Sequence, residues 1–119
     1  MLYNMSMDCI FCKIASGEIP TEFLYQDKEL VVFRDIHPAA PTHLLIVPRR
    51  HTPTLATLPD DETPLIGRMA LVANRLAREH GMAARGYRVI INSGKNGGQV
   101  VPHLHMHLLG GGPLRADPV

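Results

Sequence analysis

The run His103-Leu104-His105-Met106-His107-Leu108-Leu109 alternates imidazole with aliphatic side chains. Only an extended strand sorts such a series, because successive side chains leave a strand on opposite faces. A strand from about Val101 to Leu109 is therefore expected. His103, His105 and His107 line one face, and Leu104, Met106 and Leu108 line the other. The chain must then build a sheet with one face on the core and one face given to chemistry. Surface histidines on a half-exposed strand are the plain alternative. Three imidazoles at period two, directly after a glycine-rich loop, are hard to produce by chance.

The rest of the chain sets the frame for that strand. At 119 residues it is one domain's worth of sequence, and 45% hydrophobic and 19% charged residues describe an ordinary globular protein. A formal charge of +1 offers no footprint for a nucleic-acid polymer. The apolar runs are short and no charged-then-apolar leader opens the chain, so neither a membrane partner nor export is expected and the setting is cytoplasmic. Residues 1–8 and 113–119 read as flexible tails of a single domain spanning 1–119.

Secondary structure follows from pattern. Cys9 to Ser16 suits a short helix with Ile10 and Ile14 on its apolar face, stopped by Gly17. Phe23 to Gln26 and Leu30 to Arg34 form a hairpin, and Leu44-Leu45-Ile46-Val47 reads as a central strand buried on both faces. Asp60-Asp61-Glu62 precedes apolar residues spaced at three and four from Leu65 to Leu76, which marks a helix of roughly five turns ended by Gly81. Tyr87 to Asn92 returns to strand. The fold class is α+β, a meander with one main helix.

Three chemistries suit the histidine face. Alternate histidines can hold a metal, although the nearest acids in sequence, Glu79 and Asp117, lack the spacing of ligands. A neutral imidazole can attack phosphorus while its neighbours donate to the phosphoryl oxygens. The loop Ser93-Gly94-Lys95-Asn96-Gly97-Gly98-Gln99 favours this, since backbone N–H groups free of bulky side chains suit an anion. The third is binding without chemistry. Cys9-x-x-Cys12 is open in the same way, as a redox pair, two idle thiols or half of a zinc site.

From Gly98 to Leu109 the chain resembles the signature of the histidine triad family. Phe33-Arg34-Asp35-Ile36-His37-Pro38 and the segment from Ala40 to His51 are similar to the nucleotide-binding half of its phosphoramidase branch. The resemblance covers about Cys9 to Gly111. It implies a five-stranded, mainly antiparallel sheet with one long and one short helix. It also implies a homodimer and hydrolysis of purine nucleoside 5'-phosphoramidates, derivatives of AMP and GMP. His105 would be the nucleophile, with His43 and His107 at the phosphate. Asp35 would hold the ribose, Phe33 and Ile36 the base, and Asn92, Gly98, Gln99 and Val100 the phosphate side. Some bacterial members complete a structural Zn2+ site from residues matching Cys9, Cys12, His51 and His103, and catalysis itself needs no cofactor. His37 and His80 remain as surface residues.

One position departs from the pattern. Val100 stands where many members carry Ser or Thr, so the hydroxyl thought to assist the departing amine is missing. Loss of one positioned donor costs on the order of 100-fold in rate. Val100→Thr is expected to raise turnover with amine leaving groups; an unchanged rate would show that backbone or water already supplies the proton.

Overall fold

The computed structural model describes residues 8–115; of the expected tails, 1–8 and 113–119, residues 1–7 and 116–119 lie outside the described residues. Its order is α1 (Ile10–Ala15), β1 (Tyr25–Gln26), β2 (Leu30–Arg34), β3 (Thr42–Pro48), α2 (Pro64–Glu79), β4 (Arg88–Ile90) and β5 (Met106–Gly110). All four strand pairings are antiparallel, in the spatial order β1-β2-β3-β5-β4. The expected α+β sheet of five strands is what forms.

Strand parity divides the core into two halves. Leu30, Val32, Leu44, Ile46, Met106 and Leu108 face α2 and pack on Met69, Val72, Ala73 and Leu76. Val31, Phe33, Leu45 and Val47 face α1 and meet Phe11, Ile14 and Ala15. β3 is apolar at every position from Leu44 to Val47 because both of its faces are covered. Each such aliphatic side chain taken fully from water contributes about 1.5–3 kcal/mol. The register sets Leu45 opposite His107 and His43 opposite Leu109. His107 therefore alternates with Met106 and Leu108 and emerges on the α1 side, as does His43.

The elements differ from expectation mainly at their ends. β5 begins at Met106, so His103 and His105 precede the strand instead of lying in it. Pro102 has no N–H to give to a ladder. The chain bends there, with His103 N donating to Val101 O and Leu104 N to Thr52 O. Gly110 is the last residue of β5, and a Cβ there would lie 2.6 Å from Met82 Sδ. The three acids form a separate 3-10 turn, Asp60–Glu62, while α2 starts on Pro64 and runs 16 residues, somewhat under five turns. In α1 it is Phe11 that is buried, whereas Ile10 is half exposed. No helix among the described residues is long and apolar enough to cross a membrane.

Candidate active site and metal-ligand cluster

Two adjoining clusters form where the residues preceding β5 meet α1 and the ends of β2 and β3. In the first, the rings of His105 and His107 lie 4.9 Å apart between centroids and those of His43 and His107 5.1 Å apart. Backbone partners assign the tautomers, because a carbonyl only accepts and an amide N–H only donates. His105 Nδ1 lies 2.7 Å from His103 O, so it carries the proton and Nε2 is left with its lone pair. Ala39 N–H donates to His43 Nδ1 at 3.0 Å, so the His43 proton sits on Nε2. That N–H donates to His107 Nδ1 at 2.9 Å, leaving His107 with an Nε2–H. The arrangement offers one nucleophilic nitrogen beside one ring N–H donor.

Burial supports the neutral states of His107 and His43. The His107 pKa falls to about 4, first through loss of water and then through the positive charge that His105 and His43 would add, while the Asp35 carboxylate opposes. His43 is lowered by burial against the same opposition from Asp35. Neutral His43 and His107 rings keep the Nδ1 lone pairs that accept from Ala39 N–H and His43 Nε2–H.

Asp35, His43 and His107 also place a carboxylate and two imidazoles within 4.8 Å of one another. A carboxylate that no neighbour in sequence offers the histidines thus arrives from the residue just past β2, far away in the chain. Two His and one carboxylate are a plausible ligand set for a transition metal. The Ala39 bond argues against it here, because it puts a proton on the His43 nitrogen that would have to ligate.

The second cluster joins both cysteines to two histidines. Cys9 Sγ lies 3.2 Å from His103 Nδ1, Cys12 Sγ 3.3 Å from His51 Nδ1, and the two Nδ1 atoms are 3.3 Å apart. Zinc bonds of about 2.0–2.3 Å at tetrahedral angles would separate the donors by about 3.3–3.8 Å. The chemistry fits as well: His103 Nε2 donates to Pro48 O at 2.7 Å, which turns the Nδ1 lone pair toward the thiols. Burial lowers the pKa of His103 to about 4 and lowers that of His51.

Other expected site residues fall into place unevenly. Phe33 is buried against Phe11, with ring centroids 5.6 Å apart, while Ile36 and Val100 are 85% and 89% exposed. Asn92 holds the glycine loop through Nδ2 to Gly97 O. The Gln99 side chain is fully engaged, accepting from Gly94 N and donating to Pro53 O and Val101 O. The N–H groups of Gly94, Gly97, Gly98 and Gln99 are all bonded within the loop, so these four do not form the open anion cradle expected of it. Gly98 keeps a positive φ of 84° as the loop turns. His37 is exposed, and His80 caps α2 by donating from Nδ1 to Leu76 O. A cleft of about 540 Å³ lies elsewhere, among charges such as Arg50, Glu62, Arg68 and Glu29 that pair with one another.

Sequence reasoning overlooked Phe11. Its ring stands edge-on to His105 at 5.1 Å and to His103 at 5.8 Å, so one side chain touches both clusters. Its position between the two cysteines was the available signal. Ala39, which sets the His43 tautomer, acts through its backbone and leaves no trace in residue type.

The depressed His107 pKa predicts a pH effect on stability. Between about 4 and the unfolded value near 6.5 the unfolded chain binds more protons, so stability falls as pH drops through that window. The unfolding midpoint in urea should fall less for His107→Gln than for the parent between pH ~7 and pH ~4.5. Equal losses would show that His107 is not held neutral by the fold.

Comparison with known proteins agrees with the geometry. The HIT domain pattern matches residues 16–114. The chain is 47% identical over 110 residues to the purine nucleoside phosphoramidase of Escherichia coli (strain K12), covering 92% of each. It is 48% identical over 103 residues to protein HitA of Neisseria gonorrhoeae, covering 87% of this chain and 95% of that one. Among solved structures, a HIT family hydrolase from Legionella pneumophila Philadelphia 1 superposes with a TM-score of 0.90 at 45% identity, over 94% of this chain and all of that one. A Zn-bound histidine triad family protein from Mycobacterium smegmatis gives 0.77 at 34% identity, over 95% of this chain and 80% of that one. With its alternating histidines converging beside β3 as the fold requires, the chain belongs to the histidine triad family.

Proposed function

We propose that the protein hydrolyses purine nucleoside 5'-phosphoramidates through a nucleotidyl-histidine. The observation that carries this reading is the His105 tautomer: Nδ1–H is tied to a backbone carbonyl, which frees the Nε2 lone pair. His105 Nε2 forms a bond to the α-phosphorus as the P–N bond breaks. The amine departs with that electron pair and takes a proton from water. Water then attacks phosphorus, His105 Nε2 leaves with its pair as neutral imidazole, and the proton returns to solvent. His107 Nε2–H donates to a phosphoryl oxygen as charge builds there, and His43 holds His107 in place. Phe33 and Ile36 would take the purine, Asp35 the ribose, and the loop carrying Asn92, Gly98, Gln99 and Val100 the phosphate side. The E. coli relative's activity supports this substrate class.

Cys9, Cys12, His51 and His103 would hold a structural Zn2+, a reading supported by the donor spacing and by the Zn-bound relative. Such an ion would contribute stability and no reaction chemistry. A homodimer through α2 and β4 is supported by Leu71 and Val89, 66% and 44% exposed, and by β4 standing at the edge of the sheet. Pairing that edge with a second copy would satisfy its open backbone groups. A reducing cytoplasm would keep the two thiols available as ligands.

Incubation with adenosine 5'-phosphoramidate and acid-free quenching should trap the nucleotidyl adduct on the parent protein. His105→Ala should abolish the adduct and lower turnover by about 1,000-fold or more. Full activity in that variant would refute the nucleophile assignment. Native mass spectrometry after chelator-free purification should find two chains with one Zn2+ each. A metal content under ~0.2 per chain would refute the zinc site, given how tightly such sites bind, and a one-chain mass would refute the dimer.

A further inference from the structure

Asp35 lies one residue beyond β2, where its N–H donates to His43 O at 3.0 Å and carries the β2–β3 pairing one step past Arg34 and Leu44. Directly opposed residues present their side chains to one another on one face. The Asp35 carboxylate is consequently held against the His43 ring. Oδ1 accepts from His37 N at 2.8 Å, which fixes the plane of the carboxylate, and Oδ2 then lies 3.4 Å from His43 Nε2. The side chain is 19% exposed, so water screens this contact weakly.

His43 is thus constrained from both sides. Ala39 N–H faces Nδ1, and only acceptors, Asp35 Oδ2 and His107 Nδ1, face Nε2. A carboxylate beside a ring nitrogen stabilises the proton on that nitrogen. We propose that Asp35 is a positioning residue for the reaction: it keeps the His43 proton on Nε2, and so keeps His107 turned with its Nε2–H toward the phosphate. This role is additional to any contact with the ribose. Its kinetic consequence rests on the phosphoramidase reading, whereas the tautomer itself does not.

Asp35→Asn separates the two roles. The Asn Oδ1 can still accept from His37 N, which preserves the loop and aims the amide NH2 at His43 Nε2. Two donors would then face each other. Moving the His43 proton to Nδ1 would only set it against Ala39 N–H, so neither tautomer is comfortable. Asp35→Ala removes the carboxylate without adding an opposing donor and should perturb His43 less.

Two measurements decide the matter. Long-range 15N–1H NMR of the imidazoles should report His43 as the Nε2–H tautomer in the parent protein and as a mixture or the other tautomer in Asp35→Asn. Saturating turnover should be measured with 2',3'-dideoxyadenosine 5'-phosphoramidate, which has no ribose hydroxyls for Asp35 to hold. There kcat should fall by about 10-fold or more in Asp35→Asn and by less in Asp35→Ala, in line with the large cost of a wrong histidine tautomer elsewhere. An unchanged kcat on the dideoxy substrate, with KM raised only for the ribose form, would overturn the proposal and leave Asp35 a ribose anchor. An unchanged His43 tautomer would overturn it as well. Lack of turnover in the parent protein would instead count against the phosphoramidase reading, and the NMR comparison would still decide the role of Asp35.

Discussion

The bond from His105 Nδ1–H to the His103 carbonyl joins the two halves of the site. Through its ring, His103 faces the cysteine pair and the Pro48 carbonyl; through its backbone, it determines which nitrogen of His105 is free. Anchoring residue 103 therefore orients residue 105. Phe11, held in α1 between Cys9 and Cys12, reinforces the coupling by standing against both rings. A cluster of cysteines and histidines can in this way orient a neighbouring imidazole, as outer-shell contacts do at other sites.

The sheet supplies the remaining precision. Because β3 pairs with β2 on one side and β5 on the other, Asp35, His43 and His107 reach one place from three strand ends. A slip of one residue in either pairing would send His43 or His107 to the face covered by α2. The apolar side chains between the sheet and α2 resist that slip, since it would expose Leu44, Ile46 and Leu108. Stability on one face of the sheet and chemistry on the other are two results of the same register.

Much of this was legible in the chain. Alternation placed His107 opposite the core, the unbroken apolar run identified the doubly covered β3, and spacing at three and four located α2. Other features depended on hydrogen bonds that residue types do not announce. The glycine loop looked like an anion cradle, yet it spends four of its N–H groups on itself and on Gln99. The strand expected from Val101 starts at Met106, because Pro102 and the tie from Leu104 to Thr52 divert the chain first.

Sequence alone determined the faces: in a strand or a helix, which side a residue occupies follows from its periodicity, and periodicity is local. Only the tertiary structure decided partners and proton positions. The carboxylate near His107 comes from position 35, the imidazoles that meet the cysteine pair from 51 and 103, and the Ala39 amide that faces His43 Nδ1 from a loop between strands. Such contacts form between segments far apart in the chain. They arise from the packing of the whole domain, because a backbone amide or carbonyl acts by where it is held and not by which side chain it carries.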